Sequence, residues 1–182
     1  ETLFDYGVTI PGGSCPTVGI TGLVLGGGFG LLGRLLGIAA DSLLGVEMVT
    51  ADGDVIRADE NENPDLFWAC QGGGGGNFGI VTSLRFQLHP ISNVSIYQLT
   101  WPWDATLLAE VIEYWQQWAK GADRRVTAIL KCTTPSSGSF ATTGIGVPLP
   151  ADAEPVSFAQ VVTGARKKTL AVLTKNKLFF AE

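Results

Sequence analysis

The sequence contains very little histidine, cysteine or methionine, and the first two shortages exclude several kinds of site. His89 is the single histidine, so a Ser-His-Asp or Cys-His arrangement would depend on that residue alone. It precedes Pro90 at the end of a predicted strand, which favours a structural contact over catalysis. The cysteines Cys15, Cys70 and Cys132 are widely spaced, so they form neither a zinc-binding pattern nor a disulfide framework.

Basic charge is also scarce in most of the chain. Residues 1–119 carry three basic and 13 acidic side chains, a net charge of −10, whereas residues 120–182 carry nine and four, a net charge of +5. Binding to phosphate backbones needs clustered lysine and arginine, so the acidic part argues against a nucleic-acid partner. The basic tail, without interleaved aromatic residues, is interpreted as a solvated face. No apolar run is long enough to cross a bilayer and no signal-like pattern opens the sequence, so no membrane partner is expected.

Glycine, in contrast, is abundant, with 24 residues, many of them in two tracts at Gly26–Gly30 and Gly72–Gly76. Glycine loses backbone entropy on folding and buries no side chain, so such tracts need a reason. Close approach of the backbone to a large cofactor is one. Cys15 lies ahead of both tracts, and Pro16 holds it in an extended, rigid bend. The thiol is either displayed towards a ligand or is a small buried hydrophobe, and composition leaves both interpretations open.

A formal dinucleotide-binding pattern occurs at Gly28, Gly30 and Gly33, with Asp52 about twenty residues further on. The context does not fit a Rossmann fold. The segments Val46–Thr50 and Asp54–Ala58 are joined by Ala51-Asp52-Gly53, which predicts an antiparallel hairpin and not a parallel crossover. We interpret the glycine pattern as an accident of composition.

Periodicity and turn residues predict two domains that meet near residue 92. The first contains a strand within Tyr6–Ile10, the hairpin, a helix at Pro64–Cys70 with Phe67 and Trp68 in the core, and a strand at Ile80–Leu88. The second contains a strand at Asn93–Trp101, a helix at Ala105–Lys120 capped by Asp104, a strand at Val126–Cys132, a Ser/Gly loop at Pro135–Phe140 and a helix within Ala159–Thr174. Asp41 is expected to cap a turn or a helix N-terminus, which is favoured over a functional polar contact.

Taken in order, these motifs resemble one known family. The segments that carry the resemblance are Gly13–Gly19 (GSCPTVG), Gly26–Gly30 (GGGFG), Gly37–Asp41 (GIAAD), Asp65–Ala69 (DLFWA) and Gly72–Val81 (GGGGGNFGIV). Together they look like the berberine bridge enzyme-like flavoprotein oxidases of the vanillyl-alcohol oxidase / p-cresol methylhydroxylase (PCMH) superfamily. The match covers roughly residues 8–90, and residues 92–132 are compatible with the start of that family's substrate domain.

The resemblance implies an α+β fold. Residues 1–91 would be the second half of a PCMH-type FAD-binding domain, and residues 92–182 the start of an antiparallel-sheet substrate domain. It implies FAD as cofactor, attached through a thioether from Cys15 to C6 of the isoalloxazine. The cofactor-binding residues carried over are Cys15, Pro16, Thr17, Val18, Gly19, Gly22, Gly26, Gly27, Gly79, Ile80 and Val81, the last three at the adenine and ribose end.

The chemistry implied is hydride transfer from a C–H of an alcohol or saccharide to flavin N5, with O₂ as the acceptor that releases H₂O₂. The partners would therefore be a small-molecule substrate and O₂. Gly13, two residues before Cys15, is small and favours an oxidase over a dehydrogenase. The family resemblance is also compatible with secretion.

Several features of the family have no counterpart here. The histidine that forms the second flavin bond and the catalytic base belong to family segments outside this sequence, and Leu23 occupies a position where some members have a histidine. The sequence also begins with Glu1, so we expect a fragment that is inactive by itself. The alternatives are a non-catalytic remnant that acts as a binding or interaction protein, and a nicotinamide-dependent Rossmann enzyme based only on the glycine pattern.

Overall fold

The computed structural model describes residues 2–91, 93–132 and 139–146. These residues form two compact units that divide between Ser92 and Asn93. Each unit combines helices with an antiparallel sheet, which confirms the α+β class. The predicted helix within Ala159–Thr174 and the basic residues from Arg166 onward lie outside the described residues.

The first unit contains short helices around one three-stranded sheet. Its elements are α1 (Thr2–Asp5), β1 (Val8–Thr9), α2 (Ile20–Leu25), α3 (Gly33–Leu36), a 3₁₀ helix (Ala39–Ser42), β2 (Leu43–Val49), β3 (Val55–Ala58), α4 (Pro64–Cys70), β4 (Ile80–Phe86) and β5 (His89–Pro90). The sheet has the strand order β3-β2-β4, and β1 pairs separately with β5. All these pairings are antiparallel.

The hairpin predicted around Asp52 is present between β2 and β3. The Thr50 N–H donates to the Asp54 carbonyl at 2.9 Å, and the Gly53 N–H donates to the Thr50 carbonyl at 3.0 Å. Gly53 has φ +87°, a left-handed conformation that glycine adopts without steric cost. Because consecutive strands pair antiparallel here, the parallel βαβ unit of a nicotinamide-binding fold is absent from this part of the chain, and the Rossmann alternative is wrong.

The core of the first unit lies between α2, the 3₁₀ helix, α4 and one face of the sheet. Its buried members are Val24, Leu25, Ala39, Ala40, Leu43, Val46, Met48, Ala58, Phe67 and Cys70. At about 25 cal/mol per Å² of apolar surface removed from water, this cluster is the main favourable term for the unit. It includes Val24 and Leu25 of α2 and so holds the helix around which most of the predicted cofactor residues lie.

The prediction that Trp68 anchors the core is wrong. Helix α4 forms at the predicted residues, and Phe67 and Cys70 are buried, but the Trp68 side chain is 78% exposed. Positions three apart share a helix face, whereas adjacent positions are rotated by about 100°. The face that buries Phe67 and Cys70 therefore turns Trp68 towards solvent.

The second unit packs one long helix on a three-stranded antiparallel sheet. Its elements are β6 (Ser95–Pro102), α5 (Ala105–Gly121), β7 (Val126–Lys131) and β8 (Ser139–Gly146). Asp104 caps α5 as predicted, because its Oδ1 accepts hydrogen bonds from the N–H groups of Thr106 and Leu107. Leu99, Trp101 and Val111 form the buried centre.

Strand β8 was not predicted. It lies between β6 and β7 in the sheet, and it begins at Ser139, inside the segment that the sequence assigned to a Ser/Gly loop. That assignment is wrong for Ser139 and Phe140. The strand sequence, SFATTGIG, lacks a regular apolar alternation and has two glycines, so its pairing with neighbours on both sides decides its conformation.

Candidate functional site

Cys15 opens a tight turn on the surface of the first unit. The Val18 N–H donates to the Cys15 carbonyl at 3.3 Å, which places Pro16 at the second position of the turn. Proline favours that position because its ring fixes φ near the value the turn requires. Cys15 is exposed, as are its neighbours from Gly13 to Gly19. Of the two interpretations left open by the sequence, the structure supports display of the thiol over burial.

The Cys15 thiol has a polar neighbour that favours its ionised form. Its Sγ lies 3.3 Å from the Thr17 Oγ1. Hydrogen bonding from the Thr17 hydroxyl, and then from the Thr17 backbone N–H, lowers the pKa of the Cys15 thiol below its ordinary value. Burial instead raises the pKa of the Cys70 thiol. The thiolate is the nucleophilic form of cysteine, so Cys15 is the better nucleophile of these two.

Beside this turn, helix α2 presents backbone without side chains. A Cβ added to Gly19 or to Gly22 would have no atom within 4 Å. The exposed side chains of Val18 and Ile20 lie next to them in sequence. A flat apolar ring can therefore approach the backbone at Gly19 and Gly22, which follow the Cys15 turn in sequence, so these residues fit an isoalloxazine.

Other glycines of the first tract are explained by contacts inside the protein. A Cβ on Gly30 would lie 1.8 Å from the Gly12 carbonyl oxygen, and one on Gly28 would lie 2.6 Å from the Ala39 Cβ. Gly27 is buried at φ +96°, and its carbonyl accepts from the Ala40 N–H at 2.8 Å. Part of this tract thus allows close chain packing, with Gly30 against Gly12, three residues before Cys15, and Gly28 against Ala39. Gly26, at the end of α2, is exposed.

The second glycine tract is joined to the first. The Gly74 N–H donates to the Leu25 carbonyl, at the end of α2, at 2.8 Å. A Cβ on Gly73 would lie 2.4 Å from the Ala69 carbonyl oxygen and 2.9 Å from the Phe78 ring. Both tracts therefore adjoin α2.

Gly79 directly precedes β4, and Ile80 and Val81 are its first two residues. Gly79 has φ +151°, and a Cβ there would lie 2.5 Å from the Val49 carbonyl oxygen, so only glycine fits this position. Ile80 is 74% exposed, and Val81 packs against the core. Whether these residues bind the adenine end of FAD stays a prediction.

The two polar residues singled out in the sequence have structural contacts. The His89 Nε2 lies 2.9 Å from the hydroxyl of the buried Ser42, which joins β5 to the 3₁₀ helix. The Asp41 Oδ2 accepts from the Ile38 N–H at 2.8 Å, in agreement with a turn cap. Leu23 is partly buried against the core, and a Cβ on Gly13 would lie 3.2 Å from its Cδ2.

Sequence reasoning missed a cleft on the first unit. Its volume is about 490 Å³. It is lined by Ala40, Asp41, Trp68, Ala69, Gln71, Gly72, Gly73 and Phe78. The signal in the sequence was the pair of adjacent aromatic residues in α4, since only one of them can face the core.

Two negative findings concern the described residues alone. Within them, no group of three or more histidine, cysteine or acidic side chains is arranged to hold a metal ion. The helices of this part of the chain are also too short or too polar to span a bilayer.

Comparisons with known proteins agree with this arrangement. A family model described as the FAD binding domain matches residues 1–59. The chain is 52% identical over 135 residues to the uncharacterized FAD-linked oxidoreductase YgaK of Bacillus subtilis, a match over 72% of this chain and 30% of that protein. It is 46% identical over 115 residues to the hexose oxidase of Chondrus crispus, covering 57% of this chain and 21% of that protein.

A solved structure is similar over most of the chain. The berberine bridge enzyme-like protein 1 of Physcomitrella patens superposes with a TM-score of 0.76 at 33% sequence identity, over 94% of this chain and 35% of that one. The chain thus spans between about a fifth and a third of the length of these relatives. The fold, the order of the sequence motifs and the relatives all indicate the same family. The chain belongs to the berberine bridge enzyme-like family of FAD-linked oxidoreductases.

Proposed function

We propose that this chain forms one wall of the FAD site of an oxidase, and that the flavin is attached through the Cys15 sulfur. The observation that carries the proposal is the exposed Cys15 thiol, with its lowered pKa, on a proline turn beside Gly19 and Gly22. When bound, FAD takes hydride from a substrate carbon and passes the electrons to O₂, releasing H₂O₂.

The residues of this chain have separate roles in the proposal. Pro16 and the turn hydrogen bond hold Cys15 in place, and Thr17 favours its thiolate. Val18 and Ile20 flank the ring with apolar side chains, while Gly19 and Gly22 let the backbone approach it. Gly26, and at the far end Gly79, Ile80 and Val81, contribute backbone to the remainder of the cofactor, while Gly27 supports them from inside the protein through its hydrogen bonds with Val24 and Ala40.

The substrate class is proposed from the relatives. The relatives include a hexose oxidase and a xylooligosaccharide oxidase, and a chitooligosaccharide oxidase has a similar structure, with a TM-score of 0.75 at 25% identity. A saccharide carbon that bears a hydroxyl group is therefore the proposed hydride donor. The absence of a side chain at Gly13 is proposed to leave O₂ access to the flavin.

Acid precipitation of the flavin-loaded protein that carries this chain tests the attachment. We expect yellow flavin to remain with the precipitated protein, and Cys15→Ala to weaken that attachment. Cys132→Ala is the matched control, because Cys132 is also exposed and should not affect flavin retention. Complete release of flavin from the unmutated protein would refute the thioether.

A further inference from the structure

None of the residues proposed above to hold the flavin lines the cleft on the first unit. We propose that it binds an organic cation, an alkylammonium or guanidinium group, between aromatic rings and a carboxylate. It lies between α4, the second glycine tract and the 3₁₀ helix, and Cys15 and Gly19–Leu25 are not among its lining residues.

Two aromatic side chains give the cleft its first recognition element. Trp68 is 78% exposed and Phe78 is 39% exposed, although both line a concave site. Ligand-binding clefts are typically lined by aromatic side chains together with a few polar groups, and both rings have this placement. The faces of such rings carry negative electrostatic potential and attract cations, with tryptophan the strongest.

Charge is the second element. Asp41 supplies a carboxylate, and no lysine or arginine is among the lining residues. Its Oδ2 already accepts from the Ile38 N–H, which fixes the side chain without neutralising it. An approaching cation thus meets a carboxylate that is held in place before binding, which lowers the entropic cost of the contact.

Three hydrogen-bond donors at this wall already have protein acceptors, which favours a cation over a sugar. The Gln71 side-chain amide donates to the Ala40 carbonyl, the Gly73 N–H to the Ala69 carbonyl, and the Asn77 side-chain amide to the Gly73 carbonyl. The acceptors, namely the second Asp41 oxygen and the Gln71 side-chain oxygen, remain available within the described residues. Sugar hydroxyls need donors and acceptors together, whereas a cation needs acceptors and ring faces.

Tetramethylammonium chloride is the probe, and saturation-transfer NMR of its methyl signal with the 182-residue chain measures binding. The neutral isostere tert-butanol and equal concentrations of sodium chloride are the ligand controls. We expect saturable binding of tetramethylammonium in the millimolar range and none of tert-butanol. Trp68→Leu and Asp41→Asn should each weaken binding by about threefold to tenfold.

Tyr6→Leu is the matched protein control, because Tyr6 is 77% exposed and does not line the cleft. It should leave binding unchanged. The Trp68→Leu variant is expected to fold, because the side chain that it removes is exposed. If the Asp41→Asn variant folds poorly, the binding measured with Trp68→Leu decides between the outcomes. Equal binding by Trp68→Leu and the unmutated chain would overturn the proposal, as would equal binding of tert-butanol. Saturable binding of the neutral disaccharide cellobiose in place of the cation would also overturn it.

Discussion

The Cys15 sulfur and the Thr17 hydroxyl lie 3.3 Å apart on a turn that is open to solvent. Because exposure removes the burial that raises the pKa of Cys70, the local hydrogen bonds determine the ionisation of Cys15. Its reactivity is therefore a property of a few neighbouring residues and not of the whole fold.

Replacing Thr17 with valine removes the hydroxyl and keeps the branched shape. Since the hydroxyl lowers the pKa of Cys15, Thr17→Val should raise that pKa, and the thiol should be alkylated more slowly at pH values below it. The rate of reaction with iodoacetamide, followed across pH in a Cys132→Ser background, measures the shift. The backbone N–H of residue 17 remains, so the pKa should stay below the ordinary value. An unchanged profile would show that the hydroxyl does not act on the thiol.

Helix α2 and the loops at its two ends contain glycines of two kinds. Gly30 packs against the Gly12 backbone, so Gly30→Ala should destabilise the unit by about 2–3 kcal/mol through overpacking. Gly22 faces open space inside a helix, so Gly22→Ala should stabilise the flavin-free chain by about 0.5–1 kcal/mol. Urea denaturation measures both changes.

The same Gly22→Ala variant tests whether the glycine at position 22 is needed for the fold or for flavin binding. If the flavin lies on α2, the added methyl group should reduce flavin retention although it increases the stability of the protein. Stability and retention that rise together would contradict the proposed place of the ring.

Helix α4 allows a second test at the level of a single secondary-structure element, through the stability of two adjacent variants. Phe67→Ala should cost about 3–5 kcal/mol because Phe67 is buried in the core. Trp68→Ala, at the adjacent exposed position, should change the free energy of unfolding by no more than about 0.5 kcal/mol. Urea denaturation of the two variants compares how much the buried face and the exposed face of α4 contribute to the free energy of unfolding. Similar losses for both would mean that Trp68 also packs against protein.

At the scale of the whole molecule, the chain spans 30% of the Bacillus relative and 35% of the Physcomitrella structure. We propose that the 182 residues by themselves do not oxidise substrate, because the family resemblance implies that the catalytic base and the second flavin attachment lie in segments without a counterpart here. Oxygen consumption with added FAD and a panel of hexoses and oligosaccharides should stay at background. Robust H₂O₂ production would refute this and would remove the non-catalytic alternative.

Local signals in the sequence predicted much of this fold. Ala51-Asp52-Gly53 predicted the hairpin, and Asp104 predicted the start of α5, because turn and capping residues act on their own neighbours. The exposure of Cys15 followed in part from Pro16. Other features depended on distant partners: β8 is held by strands on both sides, and the need for glycine at position 30 comes from the Gly12 carbonyl. Such contacts leave no pattern in the nearby sequence.

Peptide mapping by mass spectrometry tests the thioether most directly. Trypsin digestion of the flavin-loaded protein that carries this chain should yield the peptide containing Cys15 with the mass of one covalently bound FAD, and no such addition on peptides containing Cys70 or Cys132. An unmodified Cys15 peptide, recovered in proportion to the protein while the flavin is free in solution, would contradict the account.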